Sequence, residues 1–178
     1  MNNIYRNCLC EEIDESYVGK SVTLSGWVEN IRDHGGVLFL DLRDNTDVLQ
    51  IVSNDDSIFN GITRESIIKV TGVIRKRDAE TVNEGIKTGM VELLVSDLEV
   101  LSKSLNVLPF EVRQSKHISE DVRLKYRYLD MRNKSVAKNF KLRSDLLHFL
   151  RNKMYDMGFI EVQTPILTAS SPEGARDF

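Results

Sequence analysis

The chain has 178 residues, is 41% hydrophobic and 29% charged, and carries a net charge of −3. That composition excludes a disordered chain, and no apolar run approaches the ~18 residues needed to span a bilayer. The acidic balance also excludes a general nucleic-acid coat, so any polyanion must be held by a local patch. The first stretch, MNNIYRNCLCEEIDESY, is too acidic and too broken for a signal or transit peptide, which points to a cytoplasmic protein with no membrane partner. Cys8 and Cys10 stand at i and i+2, and His34, His117 and His148 stand apart. This spacing suits free structural thiols better than a disulfide or a metal site, so no metal ligand is expected.

Residues 21–32 alternate Val22, Leu24, Gly26 and Val28 against polar neighbours and predict a strand, with Gly26 a place for a bend or bulge. After the RDHGG turn, residues 37–42 form a second strand. Leu38, Leu40 and Leu42 point one way, and Val37, Phe39 and Asp41 the other. RDNTD turns again. In the third strand, 48–52, Leu49 and Ile51 point inward and Val48, Gln50 and Val52 outward. NDDSIFNGITRES opens with helix-cap residues and predicts a short helix. A fourth strand covers 68–75 and a fifth 90–101, separated by a polar loop. Lys69, Arg75, Lys76 and Arg77 cluster on the fourth strand, either as a polyanion patch or as a solvated strand end. Five strands with a short helix between the third and fourth is the order of an OB-fold barrel, although the strand count also suits other small β folds.

The character changes after Leu101. Residues 104–134 have no clean period, contain Pro109 and read as a linker; near their end RLKYRYLDMRN gathers Arg123, Lys125, Arg127 and Arg132 around Tyr126 and Tyr128. Residues 135–157 predict a long helix, with an apolar stripe running from Val136 and Phe140 to Met154 and Met157, and Gly158 as its stop. FIEVQTP reads as a strand ending at Pro165, and ILTASSPEGARDF as a loop. The expected organisation is a β module at 1–103, a hinge at 104–134 and the start of a second, α+β domain at 135–178. The apolar stripe needs a partner surface that forty-odd residues cannot supply; a further part of the protein or another subunit would provide it.

If the second and third strands form a hairpin, Phe39 and Gln50 share one outer face. A ring beside an amide suits a single-stranded base: the ring stacks on it and the amide bonds its Watson–Crick edge. Arg32 and Arg43 lie near the strand ends, where phosphates or base edges would meet them. The alternative is that Phe39 covers the barrel against another segment and Gln50 is merely solvated.

GWVENIRDHGGVLFLDLRD resembles the amino-terminal anticodon-binding OB domain of the class II aminoacyl-tRNA synthetases for Asp, Asn and Lys. RLKYRYLDMR, the helix and GFIEVQTPILTASSPEGARDF resemble the hinge and motif 1 that open their catalytic domain, and SPEGARDF is most similar to the bacterial aspartyl branch. The resemblance implies that Phe39 stacks on the central anticodon uridine, that Gln50 reads the same base and that Arg32 contacts anticodon nucleotides. The long helix and the strand ending at Pro165 would form a homodimer interface. Ser170, Ser171, Glu173, Gly174 and Ala175 would match the mobile loop over the amino acid, with the Glu173 carboxylate on the α-ammonium of L-aspartate. Without the resemblance, Glu173 is an exposed loop acid. The parent enzyme would use ATP and Mg, but motifs 2 and 3, which hold ATP, are absent here. No catalytic residue is therefore expected in this fragment, and it would bind neither cofactor. His34 resembles the relaxed kind of aspartyl enzyme, which charges tRNA-Asn as well as tRNA-Asp, or is only a turn residue. At the second determinant, near Glu80 and Thr81, the sequence matches neither kind. Two other readings stay open: a non-catalytic OB-fold RNA-binding module, and an asparaginyl or lysyl relative.

Overall fold

The computed structural model describes residues 3–34, 37–105 and 107–165. The chain divides into two compact units, Met1–Val107 and Leu108–Phe178.

The first unit is built on five strands: β1 Ser21–His34, β2 Val37–Arg43, β3 Val48–Ser53, β4 Ile67–Lys76 and β5 Val91–Ser102. They close into a barrel in the order β1-β2-β3-β5-β4. Every pairing is antiparallel except β3 with β5, which is parallel through Ile51↔Leu93 and Val52↔Leu94. The short helix between β3 and β4 is a 3-10 turn, Asp56–Phe59. Alternation places Val22, Leu24, Leu40, Leu42, Leu49 and Ile51 inside, and all are essentially buried in one core. Two glycines allow the strands to approach closely. A Cβ at Gly26 would lie 2.4 Å from the Arg43 carbonyl oxygen, and one at Gly72 would lie 2.2 Å from that of Leu94. The register of β1 slips between Val28 and Asn30, just beyond Gly26, and that of β4 slips at Thr71/Gly72.

The amino-terminal segment is pinned to the barrel by the turn after β2. Asp44 accepts hydrogen bonds from the backbone N–H groups of Cys10 (2.9 Å), Thr46 (2.7 Å) and Asp47 (3.0 Å). Cys8 and Cys10 are free thiols. Burial pushes the Cys10 thiol well above its ordinary value, with the Asp44 charge adding to the effect, so it stays protonated and inert.

In the second unit, the stretch expected as a linker carries a 3-10 helix, Val112–His117, then α1 Glu120–Lys125 and α2 Arg127–Asp130. Phe110, Val112 and Leu129 form a small core of their own. The long helix α3 runs Lys134–Asp156. Asn133 caps it by accepting from the Ser135 N–H at 3.0 Å, while its amide donates to the carbonyls of Val112 (2.9 Å) and Arg113 (3.2 Å). The strand expected over FIEVQTP does not form. A strand is defined by its ladder, and among the described residues none pairs with 159–165. Pro165 is exposed, as are Leu142, Leu146, Phe149 and Met154 on α3.

Candidate nucleic-acid interface

The outer face of β1, β2 and β3 is where the sequence placed an aromatic and an amide. Cross-strand register sets Arg32 against Phe39, Phe39 against Val52, and Asp41 against Gln50. Phe39 and Gln50 are therefore diagonal neighbours on one face, with Arg32 beside them on β1. Phe39 is half-buried.

This face is not simply open to water. Val52 is fully buried, and Gln50 is only 6% exposed although it points out of the barrel. What covers Gln50 is a row of interlocked polar groups that crosses all five strands. Arg32 Nη2 donates to Asp41 Oδ1 at 2.7 Å and reaches Gln50 Oε1 at 3.5 Å. Gln50 Nε2 donates to Glu92 Oε2 on β5 at 2.8 Å. Glu92 Oε1 accepts from Arg75 Nε on β4 at 2.7 Å. The two acids are sunk and the two cations stand proud: the side chains of Arg32 and Arg75 are 41% and 44% exposed, against 12% and 6% for Asp41 and Glu92. The carboxylates thus fix the guanidinium groups, which present their remaining donors outward. Such a face offers a π surface, an oriented amide and fixed cationic forks to a single-stranded polyanion.

Glu92 and Arg75 belong to this site and were not singled out as its members from the sequence. Pairing β5 between β3 and β4 brings them there, and no local pattern reveals that order. Arg77 completes the base of the row. It is buried, and its Nε donates to the Val91 carbonyl at 3.0 Å. Its Nη1 reaches the Thr81 carbonyl at 3.4 Å. Burial lowers its pKa, and the charges of Glu92 and Asp41 oppose that shift. Arg77 thereby ties the 3-10 turn Ala79–Thr81 to the barrel, with Glu80 exposed on it. The basic cluster of β4 does not act as one patch, because Lys69 pairs with Glu99 at 3.4 Å and Lys76 with Glu15 at 2.8 Å.

Arg43, offered above as an RNA contact, is a correction. Its side chain is 6% exposed and its Nη2 donates to both Glu65 oxygens, at 2.7 and 2.8 Å. It lies 5.8 Å from the Trp27 ring centroid and is structural. His34 ends β1 in register with Val37. The residues expected to bind the amino acid, Ser170, Ser171, Glu173, Gly174 and Ala175, lie outside the described residues.

Fold and face together define a nucleic-acid-binding OB-fold unit, and comparison with known proteins agrees. Residues 22–101 match the OB-fold nucleic acid binding domain and residues 119–178 match the class II tRNA synthetases (D, K and N). The chain thus matches an OB-fold nucleic acid binding domain and part of a class II tRNA synthetase domain, each over less than half of its length. It is 46% identical over 181 residues to the Aspartate--tRNA(Asp/Asn) ligase of Ehrlichia ruminantium (strain Gardel) and 49% identical over 180 residues to that of Roseobacter denitrificans. Each alignment covers 99% of this chain and 30% of the relative, so the chain spans about a third of their length. Among solved structures it is similar to asparaginyl-tRNA synthetase from Pyrococcus horikoshii complexed with asparaginyl-adenylate. The TM-score is 0.80 at 26% identity, over 97% of this chain and 39% of that one. The aspartyl tRNA synthetase from Entamoeba histolytica shares the fold, with a TM-score of 0.78 at 24% identity over 92% of this chain and 40% of that one.

Proposed function

We propose that this chain is the RNA-docking part of an aspartate–tRNA ligase, and that the outer face of β1–β3 reads the anticodon of tRNA-Asp. The observation that carries the reading is the row from Arg32 through Gln50 to Arg75, set beside Phe39 and built from all five strands. Phe39 stacks on the central anticodon base. The Gln50 amide cannot rotate freely, because Glu92 holds its N–H and Arg32 its oxygen. Its second N–H and second lone pair face the base in one orientation, which favours a base offering both an acceptor and a donor. Arg32 and Arg75 meet flanking phosphates.

The whole protein activates L-aspartate with ATP, as class II synthetases use ATP, and transfers it to tRNA; it acts as a homodimer joined through the exposed face of α3 and the segment ending at Pro165. Glu173, within the loop 170–175, holds the α-ammonium of the amino acid. Among the described residues no group of three or more His, Cys, Asp or Glu side chains gathers to hold a metal.

The test is charging by the full-length protein. Aspartate-dependent, asparagine-independent ATP–pyrophosphate exchange and aminoacylation of tRNA-Asp are expected; activation of asparagine instead would overturn the reading. His34, with Glu80 and Thr81, sets the choice between tRNA-Asp and tRNA-Asn. His34→Leu is expected to slow charging of tRNA-Asn selectively, and equal effects on the two tRNAs would refute that role.

A further inference from the structure

Arg32 has two partners on the barrel face, and they are not equal. Its Nη2 lies 2.7 Å from Asp41 Oδ1 and 3.5 Å from Gln50 Oε1. The first is a short, charge-assisted bond, and the second lies at the outer edge of hydrogen-bond range. The guanidinium therefore leans on Asp41 first and touches the amide second. The carboxylate is sunk beneath it, while the Arg32 side chain is 41% exposed.

The place of Arg32 gives this inequality a consequence. Its strand partner is Phe39, so the guanidinium stands beside the ring that stacks the base in the reading above. A guanidinium carries five N–H donors and no acceptor. Released from Asp41, it would swing to the base edge and donate to any acceptor there, cytosine N3 as readily as uracil O4. Gln50 is different in kind. With one N–H held by Glu92 at 2.8 Å, it offers a donor and an acceptor in a fixed order. A loose cation on this face would raise the affinity for a wrong base and blur what the amide reads. Selectivity is a difference of affinities, so restraining an indiscriminate donor increases it.

We propose that Asp41 is a positioning residue that sets base selectivity: it ties Arg32 back from the base edge and leaves the choice of base to Gln50. The proposal rests on the reading of the barrel face by Phe39 and Gln50, and adds the group that protects that reading. Tied back, Arg32 keeps its outward donors for flanking phosphates. The charge of Asp41 also reaches the buried Arg77, and the experiment separates the two routes.

The full-length protein is titrated with two anticodon stem–loops of tRNA-Asp, one with the central uridine and one with cytidine in its place. Wild type is expected to favour the uridine loop by about tenfold or more. Asp41→Asn removes the charge at nearly constant volume. It is expected to reduce that preference by about fivefold, through tighter binding of the cytidine loop. In an Arg32→Ala background the same substitution is expected to leave the preference unchanged, because no guanidinium remains to be released. Asp41→Ser removes the same charge with a smaller side chain and takes the place of the Asn variant if that one does not fold. An unchanged preference in the single variant overturns the proposal. So does an equal loss of affinity for both loops, the mark of a purely structural role. A preference that also falls in the Arg32→Ala background overturns it too, and assigns the effect to Arg77. A wild type that binds both loops alike overturns the reading of the barrel face itself, so the two failures are told apart.

Discussion

Arg32 and Arg43 look alike in the sequence, each near the end of a strand and each preceding or following an acid. Their partners separate them. Arg43 is sunk between Trp27, Glu29 and Glu65, and Glu65 tolerates a left-handed backbone (φ 64°) while its carboxylate takes both bonds from that guanidinium. Removing one member of such a buried pair leaves the other charged and unsolvated. Arg43→Leu is therefore expected to cost about 3–5 kcal/mol in urea unfolding, and a loss below about 1 kcal/mol, the range of an exposed pair, would contradict the assignment. Arg32→Ala should cost less stability than Arg43→Leu, because that side chain is 41% exposed and its loss opens Asp41 to water, and it should weaken RNA binding. Alternation with a period of two made the shared face of Phe39 and Gln50 legible, since side-chain direction along a strand is local geometry. It was silent on whether an outward side chain meets water or another side chain. Gln50 meets Glu92, 42 residues away, and that contact exists only after β5 inserts between β3 and β4.

At the scale of elements, the strands and α3 were legible because each is long enough to show its period. The hinge was not. α1 and α2 are six and four residues long, too short for a helical repeat to register. They are held by Asp130 and by the small core of Phe110, Val112 and Leu129 rather than by propensity. Burial alone would raise the Asp130 carboxyl, but hydrogen bonds from Arg123 and the charges of Arg123 and Arg127 outweigh it and hold the pKa below its ordinary value. A depressed carboxyl contributes stability above its unfolded pKa, about 3.9, and loses it as pH falls through the folded value. Melting of the chain should therefore show an acid limb below about pH 4 that Asp130→Asn flattens; an acid limb unchanged in that variant would contradict the role. The FIEVQTP segment shows the opposite lesson. Its β-branched and aromatic residues read as a strand, yet a strand is completed by a neighbour, and none pairs with it among the described residues. The exposed apolar stripe of α3 carries the same message: the pattern is local, and its partner is not.

At the scale of the molecule, two units share one chain, a closed barrel with a reading face and a helical unit with a cationic cleft. The barrel face is the part proposed to take an anionic polymer, although the chain as a whole is acidic, with a net charge of −3. The acids account for this: Asp41, Glu92 and Asp130 are buried beneath the arginines they orient, so the formal charge understates how cationic the two surfaces are. The central claim is that the barrel face reads an anticodon through Phe39. It is tested most directly by the affinity of the protein for the tRNA-Asp anticodon stem–loop, with wild type and Phe39→Ala compared at one salt concentration. The account predicts a loss of about 1–3 kcal/mol, the worth of one stacked base, with the unfolding midpoint little changed; equal affinity for the two proteins would contradict it.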